Sequence, residues 1–122
     1  MNTAKKILIV DDDDDLRKLL AFYFNLAGYE IFHAIHGADG KEQLKTLTPD
    51  LIILDMMMPV LDGIGFLGWL RLDAQLDIPV LSLTGRSHYQ TKSEVLGLGA
   101  SEVIFKPCDP ETIVASAKKL LE

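Results

Sequence analysis

Four apolar runs in this 122-residue chain stop at a residue that can do chemistry. Residues 7–10 end at Asp11 and Asp12, residues 51–54 at Asp55, residues 80–83 at Thr84, and residues 103–105 at Lys106. Clustered carboxylates repel one another, and without a counter-ion at least one should hold its proton above the usual aspartate range. A hard divalent cation such as Mg2+ relieves that repulsion, because it takes oxygen ligands and often shares its shell with a phosphate. A carboxylate beside such an ion can attack a phosphoryl group and form an acyl phosphate. The transfer requires charge neutralisation on the phosphoryl oxygens, which an ammonium such as Lys106 and a hydroxyl such as Thr84 can assist.

These residues act together only if the fold brings them to one place. Short apolar runs bounded in this way read as buried parallel strands. In open α/β sheets, ligands bind just beyond the carboxyl ends of such strands. The segments between the runs carry helical periodicity. Leu16, Leu19, Leu20, Tyr23, Phe24 and Ala27 make one apolar stripe, and Gly28 is placed to end that helix. Residues 30–34 mix polar and apolar side chains and read as an edge strand, and residues 38–47 as a shorter helix before Pro49. A helix over 62–72 is weakened by Gly63, Gly65 and Gly68 and held by Phe66, Leu67, Trp69 and Leu70. Strand 78–83 follows. The stripe of Tyr89, Val95 and Leu96 is poor, so residues 87–98 should form a marginal, mobile helix. Strand 103–105 is short, and Asp109 and Pro110 open a last helix whose stripe is Ile113, Val114, Ala117, Leu120 and Leu121.

Strands and helices therefore alternate five times, which predicts an α/β fold with a parallel sheet. Placing the polar second and short fifth strands at the edges selects a flavodoxin-like doubly wound (βα)5 order, 2-1-3-4-5. The switch point then lies between the first and third strands, where Asp11, Asp12 and Asp55 should flank the crevice.

Composition narrows the partners. The net charge is −6, from 18 acidic and 12 basic residues, which argues against direct nucleic-acid binding. No apolar stretch approaches the roughly 18 residues of a membrane span, and residues 1–6 are too polar and short for a signal peptide. The single cysteine, Cys108, makes no internal disulfide, so a cytoplasmic setting is expected. His33, His36 and His88 lack metal-ligand spacing. Asp13, Asp14 and Asp15 read as solvent-facing or helix-start residues, the Met56–Met58 cluster as packing and loop filling, and Trp69 as packing.

Four blocks together carry a family resemblance: Ile7-Leu-Ile-Val-Asp-Asp-Asp, Asp50-Leu-Ile-Ile-Leu-Asp-Met-Met-Met-Pro59 with Asp62-Gly63, Pro79-Val-Leu-Ser-Leu-Thr-Gly85, and Phe105-Lys-Pro107. In order and spacing the chain resembles the response-regulator receiver domain of two-component signalling. The resemblance implies that residues 1–122 are a single receiver domain with no output domain present. It implies that Asp55 accepts a phosphoryl group from a histidine kinase or histidine phosphotransfer protein. Asp12 would bind Mg2+ directly, Asp11 through water, and the Met57 carbonyl would complete the protein ligands with Asp55; Mn2+ would substitute. Thr84 would be the switch hydroxyl, Lys106 would pair with the phosphoryl oxygens, and the Lys106–Pro107 bond would be cis. A downstream protein or missing output domain would receive the signal, a phosphorylation-dependent dimer is compatible with it, and the domain would assist its own phosphorylation and dephosphorylation rather than be an enzyme.

The chain departs from the family in one strand. Receivers usually carry Tyr or Phe three residues before the lysine, where this chain has Val103. Phe105 is expected on the opposite face, so the chemistry should survive while the readout is altered. Met57 and Arg86 are expected to slow water access to the phosphoryl group. Three other readings remain. A degenerate receiver acting as an interaction module is supported by Val103 and opposed by the intact acids. A haloacid-dehalogenase-type phosphatase needs a second Asp where Met57 stands. A flavodoxin-like cofactor site needs a phosphate loop, not Asp11–Asp15.

Overall fold

The computed structural model describes residues 4–58, 62–85 and 92–122. Five parallel strands form one sheet in the order β2-β1-β3-β4-β5, as the edge and centre assignments predict. They are β1 (Lys6–Val10), β2 (Glu30–Ala34), β3 (Leu51–Asp55), β4 (Val80–Gly85) and β5 (Glu102–Lys106). The helices are α1 (Asp14–Leu26), α2 (Gly37–Gln43), α3 (Gly63–Gly68), α4 (Lys92–Gly97) and α5 (Pro110–Leu121). Every residue of β3 is buried, which fits its uninterrupted apolar sequence and its central place.

The period-two alternation of the strands splits the core into two layers. Ile7, Ile9, Leu51, Ile53, Leu81 and Leu83 pack on one face with α1 and α5 side chains such as Leu20, Phe24, Ile113 and Ala117. Leu8, Val10, Ile52, Leu54, Val80 and Val103 pack on the other with Phe66, Leu67 and Val95. Phe105 packs on this second face beside Val103, not opposite it. Residues two apart on a strand share a face, so the expectation for Phe105 is corrected by the pleat itself.

Several boundaries also move. The buried stripe of α1 is Arg17, Leu20, Ala21 and Phe24, while Leu19 is 44% exposed and Ala27 lies at the surface. β4 begins after Pro79, which has no N–H to give the ladder, and it runs on through Thr84 and Gly85 to pair with Phe105 and Lys106. α2 starts at Gly37 under a cap from His36, whose Nδ1 accepts from the Asp39 N–H at 3.0 Å. The helix expected over 62–72 divides into α3 and a π-helical turn, Trp69–Asp73. There the Ala74 N–H donates to the Trp69 carbonyl, and Arg71 reaches the carbonyls of Gly99 and Leu76. Gly63 is required by proximity: a Cβ there would lie 2.5 Å from the Met56 Cα and 2.9 Å from the Asp55 carbonyl oxygen. Gly28 has φ +93°, the left-handed end predicted for α1. Asp109 precedes α5 without a side-chain cap bond, and the Lys106–Pro107 bond is cis. Pro59, Arg86, His88, Tyr89 and the start of the helix expected over 87–98 lie outside the described residues.

Candidate functional site

The carboxyl ends of β1, β3 and β5 converge. Carboxylate oxygens of Asp11, Asp12 and Asp55 lie within 4.8 Å of one another. Asp11 is 1% exposed and Asp55 3%, whereas Asp12 faces solvent. The Lys106 ammonium stands 3.5 Å from Asp55 Oδ1 and 3.7 Å from Asp11 Oδ2, on the sheet's far side from β2.

Local structure explains why each group is held. Asp55 is the last residue of β3, and the turn that follows brings the Met57 N–H to its Oδ1 at 3.0 Å. The close approach of Gly63 to Asp55 and Met56 keeps that turn tight. The Met56 and Met58 side chains are buried in the core and Met57 is 52% exposed, as packing and loop filling predict. Asp11 Oδ1 accepts from the Asp13 N–H at 2.9 Å, and Asp13 in turn caps α1 by accepting from the Leu16 N–H at 3.1 Å. Asp11 Oδ2 is buried and has no hydrogen-bond partner among the described residues, with only the Lys106 ammonium facing it at 3.7 Å.

Burial pushes the Asp11 carboxyl up from its ordinary 3.8 to about 7. The Asp13 N–H pulls it back down, the neighbouring Asp55 charge raises it further, and Lys106 lowers it. Two buried carboxylates with one partly exposed ammonium are short of positive charge, which is the condition under which a cation is drawn in. Oxygen-only donors, one of them buried without a hydrogen bond among the described residues, fit a hard divalent ion.

Thr84 sits beside this cluster rather than in it. It pairs with Phe105 across the β4–β5 ladder, and the next pair joins Gly85 to Lys106. Its Oγ1 is fully buried and has no partner among the described residues, and Ser82 Oγ one pleat away is in the same state. The structure thus brings together Asp11, Asp12, Asp55 and Lys106, and leaves Thr84 adjacent and unsatisfied.

One residue at this edge escaped the sequence reading. Arg17 is 6% exposed, and its Nη1 donates to the Asp11 main-chain carbonyl at 2.6 Å. Its Nη2 pairs with Asp14. The signal was an arginine in phase with Leu20, Ala21 and Phe24, three, four and seven residues ahead of a buried stripe.

Known proteins share this fold. The family profile of the response regulator receiver domain matches residues 7–118. The DNA-binding dual master transcriptional regulator RpaA of Synechocystis sp. is 38% identical over 117 residues, covering 95% of this chain and 48% of that protein. The chain spans about half the length of the curated relatives it matches. Among solved structures, the chemotaxis protein CheY4 of Vibrio cholerae superposes with a TM-score of 0.88 at 31% identity, covering 98% of this chain and all (100%) of that one. The receiver domain of Francisella response regulator 1452 gives 0.89 at 28% identity, with 96% of each chain covered. With the strand order, the strand-end acids and these likenesses in accord, the chain belongs to the response regulator receiver domain family, a family of phosphorylation-based signalling domains.

Proposed function

We propose that this domain accepts a phosphoryl group on Asp55 from a histidine kinase or histidine phosphotransfer protein and uses it to control a partner or an output domain. The observation that carries the reading is the nearly buried Asp55 carboxylate, with one oxygen held by the Met57 N–H and faced by Lys106, beside two more acids. A carboxylate oxygen of Asp55 would form the new O–P bond as the donor's P–N bond breaks. The imidazole leaves with the electron pair and takes up a proton.

Asp12 and Asp55, the Met57 carbonyl and, through water, Asp11 would hold Mg2+ or Mn2+. When bound, such an ion supplies charge neutralisation for the acids and the phosphoryl oxygens. The chain's own groups do the rest. The Met57 N–H orients the nucleophile, and Lys106 is placed to pair with a phosphoryl oxygen. Thr84 Oγ1, which lacks a partner among the described residues, would gain one by donating to another phosphoryl oxygen. Inverting a 1:99 population takes about 5.5 kcal/mol of differential interaction, a range two charge-assisted contacts in a partly desolvated site can approach. The exposed Met57 side chain would slow water attack and prolong the phosphoryl lifetime.

Val103 supports the second reading, a receiver that serves as a docking module without switching. Incubation with Mg2+ and a small phosphodonor, followed by intact-mass measurement, separates the two. The proposal expects one phosphoryl adduct that Asp55→Asn removes. No adduct under conditions that label another receiver favours the docking module.

A further inference from the structure

We propose that Arg17 is a positioning residue for the acidic site: by gripping the Asp11 carbonyl it sets the peptide that joins Asp11 to Asp12. The inference rests on reading the acid cluster as a cation site.

Burying a guanidinium is costly, and replacing a buried ion pair by apolar residues is often neutral or stabilising. On the stripe of Leu20, Ala21 and Phe24 an apolar side chain would therefore serve packing as well. Arg17 is poorly compensated there. Its Nε has no partner among the described residues, and the carboxylate it pairs with belongs to Asp14, whose side chain is largely exposed. What the arginine does accomplish is specific. Its 2.6 Å bond to the Asp11 carbonyl is short and charge-assisted.

That bond completes a three-point hold on Asp11. The Asp11 N–H donates to the Ala34 carbonyl at 3.1 Å, its carbonyl accepts from Arg17, and its Oδ1 accepts from the Asp13 N–H. The remaining oxygen, Oδ2, has no hydrogen-bond partner among the described residues; it faces the cluster and the Lys106 ammonium. The peptide plane that carries the Asp11 carbonyl also carries the Asp12 N–H, so its tilt sets ψ of Asp11 and φ of Asp12 together. One guanidinium on α1 thereby fixes where both carboxylates point. Asp14 offsets the charge that Arg17 would otherwise set against an incoming cation.

The test uses Mn2+ alone as probe, with free Mn2+ followed by electron paramagnetic resonance. Arg17→Met should weaken Mn2+ binding about 10- to 100-fold, the range seen when groups orienting metal ligands are removed. Arg17→Lys keeps the charge and most of the bulk but loses the planar fork, so it should still fall several-fold; it also keeps the test open if Arg17→Met does not fold. Asp14→Asn, which leaves the carbonyl bond in place, should change binding by no more than about twofold. Phe24→Leu, a core change on the same helix, controls for stability loss. Wild-type affinity in both Arg17 variants, or an equal loss in Phe24→Leu, overturns the proposal. A wild-type domain that binds no Mn2+ overturns the cation reading beneath it instead, and Arg17's role falls with that reading.

Discussion

The acid cluster and the hydroxyls of β4 lie on adjacent strands, yet they are built on opposite terms. Asp11 is tied at its N–H, its carbonyl and one carboxylate oxygen, and Asp55 is held by Met57 and faced by Lys106. Ser82 and Thr84 are fully buried with no partner among the described residues, and across the ladder they meet Val103 and Phe105, which offer no polar side-chain atom. A buried hydroxyl left unpaired costs about 1–3 kcal/mol, so any arrangement that supplies a partner is favoured. The first region is already tied down, whereas the second holds an unmet demand among the described residues, which under the proposed function phosphorylation of Asp55 would satisfy at Thr84. Under the proposed function this difference would separate chemistry from readout along a single sheet edge.

The contrast predicts unequal responses to mutation. The largest concerns Lys106. Lys106→Met removes the ammonium facing Asp11 and Asp55, and phosphorylation by a small phosphodonor should slow about 100-fold or more, as when one preorganised charge-stabilising donor is lost. Stopped-flow measurement at saturating Mg2+ checks it, and a rate within a few-fold of wild type would place the chemistry elsewhere.

The next effect belongs to Asp11 in the metal-free domain. Its folded pKa is raised to about 7, while the unfolded chain titrates near 3.8, so the folded state holds the extra proton between them. This group therefore costs no stability below about pH 4. Its cost grows as pH rises and is complete above about pH 7, on the order of a few kcal/mol. Chemical denaturation in chelator at pH 5 and pH 8 should show that loss, and Asp11→Asn should remove most of it. A pH-independent difference between the two proteins would contradict the burial of this carboxyl.

Thr84 should behave in the opposite sense. Thr84→Val keeps the shape and deletes the unpaired hydroxyl, so the unphosphorylated domain should gain about 1 kcal/mol. Asp55 should still be phosphorylated, while the shift in shape, read by sizing with a beryllofluoride phosphoryl mimic, should shrink. A Thr84→Val domain that is destabilised by that amount would show that the hydroxyl already has a partner.

The strand-end residues were legible because a parallel sheet converts four apolar runs into one chemical edge. β3 and the strand order followed from hydrophobic pattern alone. Arg17 was hidden by its type, since an arginine on a helix is read as solvated until the helix phase is known. The division of the third helix into α3 and a π-helical turn was not visible either. It goes with bonds from Arg71 to nearby Leu76 and to distant Gly99, the second of which no local pattern encodes. The misplaced face of Phe105 differs in kind: the two-residue period was sufficient, and the structure restores it. Phe105, not an aromatic at position 103, is the ring nearest Thr84 along the β4–β5 register.

The most direct measurement locates the phosphoryl group chemically. Borohydride reduces an acyl phosphate to an alcohol, which turns the modified aspartate into homoserine. Peptide mapping of the domain treated with Mg2+ and phosphodonor should then find homoserine at position 55 alone. Homoserine at position 11 or 12, or a phosphoryl adduct that resists borohydride, would contradict Asp55 as the acceptor.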